Sequence, residues 1–269
     1  MDTGRTAGLS MNVDAYLRRI QYGGPGDPSP ATLRELHRQH LFTVPFENLD
    51  IALGNSIQLA PELLYEKVVV HGRGGYCYEL NGLFHDLLTA MGFTVCMLSA
   101  QVRRDDGGFG PEFDHMLLKV TLDDPWLADV GFGESFVDPL PLLPGASQTE
   151  HGNLFGVAEE DGTWELFKQD TDGRVPLYRF SEIPRELSDF ESMNRFQQTS
   201  PESGFTRRRI CTKAAPDGRT TLSGMRLIVT KAGVRQETVF THKEELRQSL
   251  REHFTIELAD DEDWSKLTG

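Results

Sequence analysis

Apolar positions recur at helical spacing through the first third of the chain. Val13, Tyr16, Leu17 and Ile20 form a short stripe that ends at Gly23-Gly24-Pro25. Ser29-Pro30 supplies an N-cap and a first helical residue ahead of Leu33, Leu36 and His40. Pro61 opens a further helix that runs to Val70. The longest stripe is Leu80, Leu83, Phe84, Leu87, Leu88 and Met91, with Gly92 where a C-terminal cap belongs. After Gly92 the pattern changes. Segments 94–104, 115–122 and 126–132 read as short strands separated by Gly107-Gly108 and Asp123-Asp124-Pro125, and 164–168 and 175–180 read as two more. Their regular spacing predicts a barrel or sandwich. Segments 207–212, 225–231 and 234–240 predict strands. Thr241-His242-Lys243-Glu244 predicts a capping box before a helix through Leu246, Leu250 and Phe254. The acidic stretch 260–263 reads as a solvated tail.

Composition narrows the class. A chain of 269 residues with 38% hydrophobic and 25% charged residues is that of a soluble globular protein. No apolar run approaches the roughly 20 residues that span a bilayer, and the polar residues 1–10 lack the apolar core of a signal peptide. The expected location is cytoplasmic. The net charge of −14 argues against nucleic acid as a partner, since phosphate binding needs clustered positive charge. Arg207-Arg208-Arg209 runs against that trend, as a solvated strand edge or as a contact for an anionic ligand. The cysteines Cys77, Cys96 and Cys211 lie far apart without a CxxC pair, which argues for reduced thiols and against a structural zinc site.

One cysteine stands out. Arg73-Gly74-Gly75-Tyr76-Cys77-Tyr78-Glu79-Leu80-Asn81-Gly82 puts Cys77 just after a glycine pair, at the start of the longest helical stripe. Free backbone N–H groups and the helix dipole favour a thiolate there, so the placement predicts a lowered thiol pKa. Cys77 is either buried packing or a nucleophile. A nucleophile needs a base and an orienting group. His115 opens the apolar run His115-Met116-Leu117-Leu118; it is a satisfied strand residue or the base. Asp129 sits in Trp126-Leu127-Ala128-Asp129-Val130-Gly131-Phe132-Gly133, where a carboxylate is costly unless paired. Its partner is a backbone N–H, an arginine, or His115. Gly131 and Gly133 allow close approach of a ligand or end the strand in a turn.

These motifs, with Val44-Pro45-Phe46-Glu47-Asn48-Leu49 before them, resemble the arylamine N-acetyltransferases in order and spacing over roughly the first half of the chain. Ser200-Pro201-Glu202-Ser203-Gly204-Phe205 extends the likeness more loosely. The resemblance implies an α+β fold in three parts with a core like that of cysteine proteases. These are an N-terminal helical bundle (1–92) carrying the nucleophile, a central β-barrel (93–198) carrying His and Asp, and a C-terminal α/β lid (199–269). It implies ping-pong transfer of an acetyl group from acetyl-CoA, as co-substrate, to the nitrogen of an arylamine or hydrazine, without a metal, as in xenobiotic metabolism. By motif position Cys77 is the acetylated nucleophile, His115 its base and Asp129 the orienter. Phe46, Phe132 and Phe205 line the acceptor pocket, Gly131 and Phe132 contact CoA, and Arg73 and Glu47 form a supporting ion pair. Some relatives instead close macrolactam rings as amide synthases on the same cysteine. A cysteine hydrolase or transglutaminase-like enzyme, and a binding module with a relict triad, share the same residue order.

Overall fold

The computed structural model describes residues 11–150, 152–259 and 262–268. The chain opens with α1 (Val13–Arg19), α2 (Pro30–Thr43), the two-residue strand β1 (Phe46–Glu47), α3 (Leu49–Leu53), α4 (Pro61–Tyr65) and α5 (Cys77–Ala90). Ser29 caps α2 by accepting from the Thr32 N–H at 3.2 Å, with Pro30 as its first residue. The segment expected to be helical through Val70 widens after Tyr65 into a π-turn (Glu66–Val70), closed by the His71 N–H on the Glu66 carbonyl at 2.9 Å. α5 is apolar on more than one side. Tyr78, Leu80, Leu83, Phe84, Leu87 and Leu88 are all fully buried, because the helix is wedged between the other helices and the first strands of the barrel. Burial of each such side chain stabilises the fold by about 1.5–3 kcal/mol.

The middle of the chain forms β2 (Thr94–Val102), β3 (His115–Thr121), β4 (Pro125–Ala128), β5 (Leu140–Pro141), β6 (Ser147–Glu150), β7 (Asn153–Glu160), β8 (Thr163–Asp170) and β9 (Gly173–Arg185). These pair antiparallel in the order β5-β4-β3-β2-β9-β8-β7-β6, and the sheet curls until its two edge strands approach, giving a nearly closed barrel. The last part holds α6 (Glu191–Thr199), α7 (Gly204–Arg207), β10 (Ile210–Ala215), β11 (Gly218–Ser223), β12 (Arg226–Lys231), β13 (Val234–Val239), α8 (Lys243–Phe254) and α9 (Ser265–Thr268). Its five-stranded sheet runs β1-β10-β11-β12-β13, so an N-terminal strand completes the C-terminal sheet. The mixed α+β architecture of helices, barrel and second sheet is the one expected.

Three local expectations differ from the structure. The strand expected over 126–132 ends at Ala128, its last residue paired with β3, because side chains capture the backbone N–H groups that follow. Arg207-Arg208-Arg209 is not a strand edge: Arg207 closes α7 with its guanidinium on the Ser203 carbonyl at 3.2 Å, and Arg209 reaches the Lys266 carbonyl at 2.9 Å. The cap of α8 lies one residue later than predicted, with the Glu245 carboxylate accepting from the His242 N–H at 3.0 Å. Of the acidic stretch, residues 260–261 lie outside the described residues, while Asp263 accepts from the Ser265 backbone N–H and hydroxyl at the start of α9. Among the described residues no helix is long and apolar enough to cross a membrane.

Candidate active site

The motifs Val44–Leu49 and Arg73–Gly82 are two sides of one junction. β1 forms a parallel bridge with Gly75, the Glu47 N–H donating to the Gly75 carbonyl at 2.8 Å. A Cβ at Gly74 would lie 2.0 Å from the Pro45 carbonyl oxygen, so glycine is required by this close approach. The chain then turns into α5, whose first residue is Cys77. The Glu79 carboxylate reaches back to the Tyr76 N–H at 3.0 Å and fixes the helix start.

The expected Arg73–Glu47 pair is present at 2.8 Å and belongs to a larger network. Arg73 also pairs with Asp50 at 3.0 Å, Lys67 bridges Asp50 at 2.6 Å and Glu79 at 2.7 Å. Burial works against the charge on Asp50, but Lys67 and Arg73 hold its carboxyl below the usual range. Burial pushes the Glu79 carboxyl up, with Lys67 opposing. Sequence reasoning missed Asp50, Lys67 and Glu79, which look there like ordinary helix charges.

Asp129 lies just beyond β4, fully buried, and four donors converge on its carboxylate. His115 Nε2 is 2.8 Å from Oδ2 and the Tyr178 hydroxyl 2.9 Å from the same oxygen. The Asn81 amide donates to Oδ1 at 2.9 Å and the Gly131 N–H at 3.0 Å. Burial raises the carboxyl, but His115, Asn81 and Gly131 outweigh it and hold Asp129 below the usual carboxylate range. An ionised Asp129 makes Nε2 of His115 the N–H nitrogen and leaves Nδ1 as the basic one.

Cys77 is buried at the junction of α5 and β3, where the Met116 backbone, next to His115, favours its thiolate. The expected lowering of its pKa is not found. Burial pushes the thiol well above its ordinary value; the backbone of Met116 and Tyr78 pulls it down, and the carboxylates of Asp114 and Asp129 push it further up. Dehydration of the site outweighs the helix start. Ionisation at neutral pH therefore requires a group that takes the thiol proton. All three cysteines are free.

Gly131 makes its close approach to the protein itself. A Cβ there would lie 2.8 Å from the Cys77 Cα and 2.7 Å from the Asn81 amide nitrogen. Phe132 packs edge-on to His115 and to Tyr178, both at 5.1 Å between ring centroids. Phe46 and Phe205 form a separate pair at 6.2 Å, joined by Tyr76 at 5.5 Å from Phe205. The Phe46 ring comes within 3.4 Å of where a Cβ on Gly133 would stand. The three phenylalanines thus divide into one ring on the imidazole and two beside the helix that carries Cys77.

Sequence reasoning also missed Asn81 and Tyr178, which donate to Asp129, and His37, whose Nε2 accepts from the Asp129 N–H at 3.0 Å. Asn81 sits one turn after Cys77 inside the motif. His37 stands four residues after Leu33, on the apolar stripe of α2, which is the signal that could have found it. Tyr178 offers no local signal. Beyond Gly133 a cleft of about 690 Å³ opens between the barrel and the β11–β12 hairpin, lined among others by Glu134, Lys168, Arg219 and Arg235. Among the described residues no group of three or more His, Cys, Asp or Glu side chains could hold a metal ion.

An N-acetyltransferase family model matches residues 30–263, a span that holds every residue of this site. The Gallus gallus pineal gland arylamine N-acetyltransferase isozyme NAT-3 is 34% identical over 92% of this chain and 95% of its own length. The solved Mycobacterium smegmatis arylamine N-acetyltransferase superposes with a TM-score of 0.89 at 31% identity, covering 96% of this chain and 98% of its own. The Mycobacterium marinum arylamine N-acetyltransferase, solved in complex with CoA, gives 0.87 at 30% identity over 96% and 97%. By these relationships the chain belongs to the arylamine N-acetyltransferase family and is an acetyltransferase.

Proposed function

We propose that this enzyme transfers the acetyl group of acetyl-CoA to the nitrogen of an arylamine or hydrazine through an acetyl-Cys77 intermediate. The observation that carries the reading is the buried Asp129 carboxylate, held by four donors including His115 at 2.8 Å, beside the helix start that bears Cys77. An anion so fixed orients the imidazole and stabilises its protonated form.

In the first half-reaction His115 takes the thiol proton and the Cys77 sulfur attacks the acetyl carbonyl. The bond from that carbonyl to the CoA sulfur breaks, and CoA leaves as the thiol with the proton held by His115. In the second, the amine nitrogen attacks acetyl-Cys77. The nitrogen gives its proton to His115, which returns it to the departing Cys77 sulfur. Because burial raises the free thiol, ionisation is coupled to the imidazole. The thiolate is made as a pair with His115⁺ and Asp129 behind it, without a solvated anion.

The cleft beyond Gly133 has the volume of a small-molecule site, and we assign it to the nucleotide end of CoA. Arg219 lies in it, donating to the Thr212 hydroxyl at 3.2 Å and to the Gly133 carbonyl, with the Glu134 carboxylate favouring its charge. Gly131 and Phe132 then lie between that cleft and Cys77. Phe46 and Phe205 supply aromatic faces for the acceptor ring, and Arg73 with Glu47 holds the turn before Cys77. Initial rates with acetyl-CoA and an arylamine varied together test the scheme. Parallel double-reciprocal lines are expected, and lines that intersect, showing both substrates bound before acetyl transfer, would contradict it.

A further inference from the structure

Three consecutive backbone N–H groups leave the sheet where β4 ends, and side chains catch all of them. Asn81 Oδ1 accepts from Val130 at 2.9 Å, Asp129 Oδ1 accepts from Gly131 at 3.0 Å, and His37 Nε2 accepts from Asp129 at 3.0 Å. Asn81 is on the helix that bears Cys77, whereas His37 comes from α2. The other ring nitrogen of His37, Nδ1, lies 2.7 Å from the Val137 carbonyl oxygen. A carbonyl only accepts and a backbone N–H only donates, so His37 is the neutral Nδ1–H tautomer. The ring stacks on Phe136 at 5.6 Å and meets the Phe84 edge at 6.1 Å. One imidazole thereby joins the two ends of segment 129–137, which carries Asp129, Phe132 and the mouth of the cleft.

We infer that His37 is a positioning residue for acetyl transfer: it closes segment 129–137 at its base and so sets where the Asp129 carboxylate and the Phe132 ring meet His115. The inference rests on the roles given above to Cys77, His115 and Asp129. Burial holds the His37 ring below the ordinary histidine range, against the Val137 carbonyl and the carboxylates of Asp129 and Asp138, so the lone pair that accepts from Asp129 is retained at neutral pH. Without it the buried Asp129 N–H loses its acceptor at the residue that orients the base. A displacement of about 1 Å in such a site can lower a rate by about 10²-fold.

Two substitutions separate positioning from packing. His37→Phe keeps the ring and its stack but removes both hydrogen bonds. His37→Gln restores an oxygen that can accept from Asp129. Each is compared with the parent in kcat/KM and KM for acetyl-CoA, in the pH profile of Cys77 alkylation by iodoacetamide, and in thermal unfolding. His37→Phe is expected to lower kcat/KM about 10-fold or more with KM within about 2-fold, and to move the alkylation profile to higher pH. His37→Gln is expected to recover most of both. A folded His37→Phe enzyme that loses melting temperature alone overturns the inference, as does a Gln variant no better than Phe. If His37→Phe does not fold, the ¹⁵N resonances of the parent imidazole decide. A protonated Nδ1 with a bare Nε2 is expected at neutral pH, and the opposite tautomer or an imidazolium would overturn it. Failure of the parent to take up acetyl on Cys77 would instead refute the underlying roles, whatever His37 does.

Discussion

Gly131 and Cys77 are in backbone contact: a Cβ on Gly131 would stand 2.8 Å from the Cys77 Cα. The end of the barrel strand that brings Asp129 is pressed onto the first residue of α5, and the Asn81 side chain fills the space beside it, donating to both Asp129 and the Met116 carbonyl. The separation of Cys77 and Asp129 is set by this contact.

Gly131→Ala is therefore expected to force the two backbones apart. The loss in unfolding free energy, read from urea denaturation, should be about 1–3 kcal/mol, as for overpacking of a tight core. Acetylation should slow in parallel. Gly204→Ala, where a Cβ meets nothing within 4 Å, serves as the control and should stay within about 0.5 kcal/mol of the parent. Equal behaviour of the two variants would show that the contact is not tight.

Phe205 touches Phe46 and Tyr76, and no ring contact joins it to His115, whereas Phe132 lies on the imidazole itself. Phe205→Ala should accordingly weaken the arylamine half-reaction by about 2–10-fold, the worth of one aromatic pair, and leave acetylation by acetyl-CoA nearly unchanged. Phe132→Ala should slow both half-reactions, because it also frees the His115 ring. Separate second-order rates for the two substrates make the comparison. A Phe205→Ala enzyme slowed equally in both would remove that ring from the acceptor pocket.

His40 gives the fold a pH dependence of its own. Its ring accepts from or donates to the Tyr16 hydroxyl at 3.0 Å and packs on the Phe84 ring at 5.3 Å, and its Nε2 is buried without a hydrogen-bond partner among the described residues. Burial pushes it well below the ordinary value of 6.5, and the charge of Arg19 adds to this. The folded state keeps His40 neutral at a pH where the unfolded chain binds the proton. The stability due to its neutral state is thus present above about pH 6.5 and is lost as pH falls below it. Replacing it by Phe should flatten unfolding free energy against pH below 6.5 by up to about 1.4 kcal/mol per pH unit. An unchanged slope would show that His40 is protonated in the folded protein.

Local pattern carried a good part of this site. The glycine pair before an amphipathic stripe placed Cys77 at a helix start, and the cost of a lone carboxylate among apolar residues demanded a partner for Asp129. What local pattern could not carry came from distant segments. His37 is 92 residues from Asp129 and Tyr178 is 49 residues from it, and no spacing rule links them. The strand expected through Phe132 stops at Ala128 because His37 and Asn81 take the N–H groups that a neighbouring strand would have used. The pairing of β1 with β10 joins the first third to the last, which periodicity within either segment cannot reveal. The helix start alone predicts a lowered Cys77 thiol pKa. The burial that reverses the shift is a property of the assembled fold.

Peptide mass spectrometry tests whether Cys77 is the acyl carrier. The protein is mixed with acetyl-CoA, divided, and one half is given an arylamine before digestion. Acyl transfer through Cys77 predicts one acetyl mass on the peptide holding Cys77 in the first half, and in the second its loss matched by an equal amount of N-acetylated amine. Acetyl on Cys96 or Cys211, no acetyl on the protein at all, or loss from Cys77 to water without the acetylated amine would contradict it.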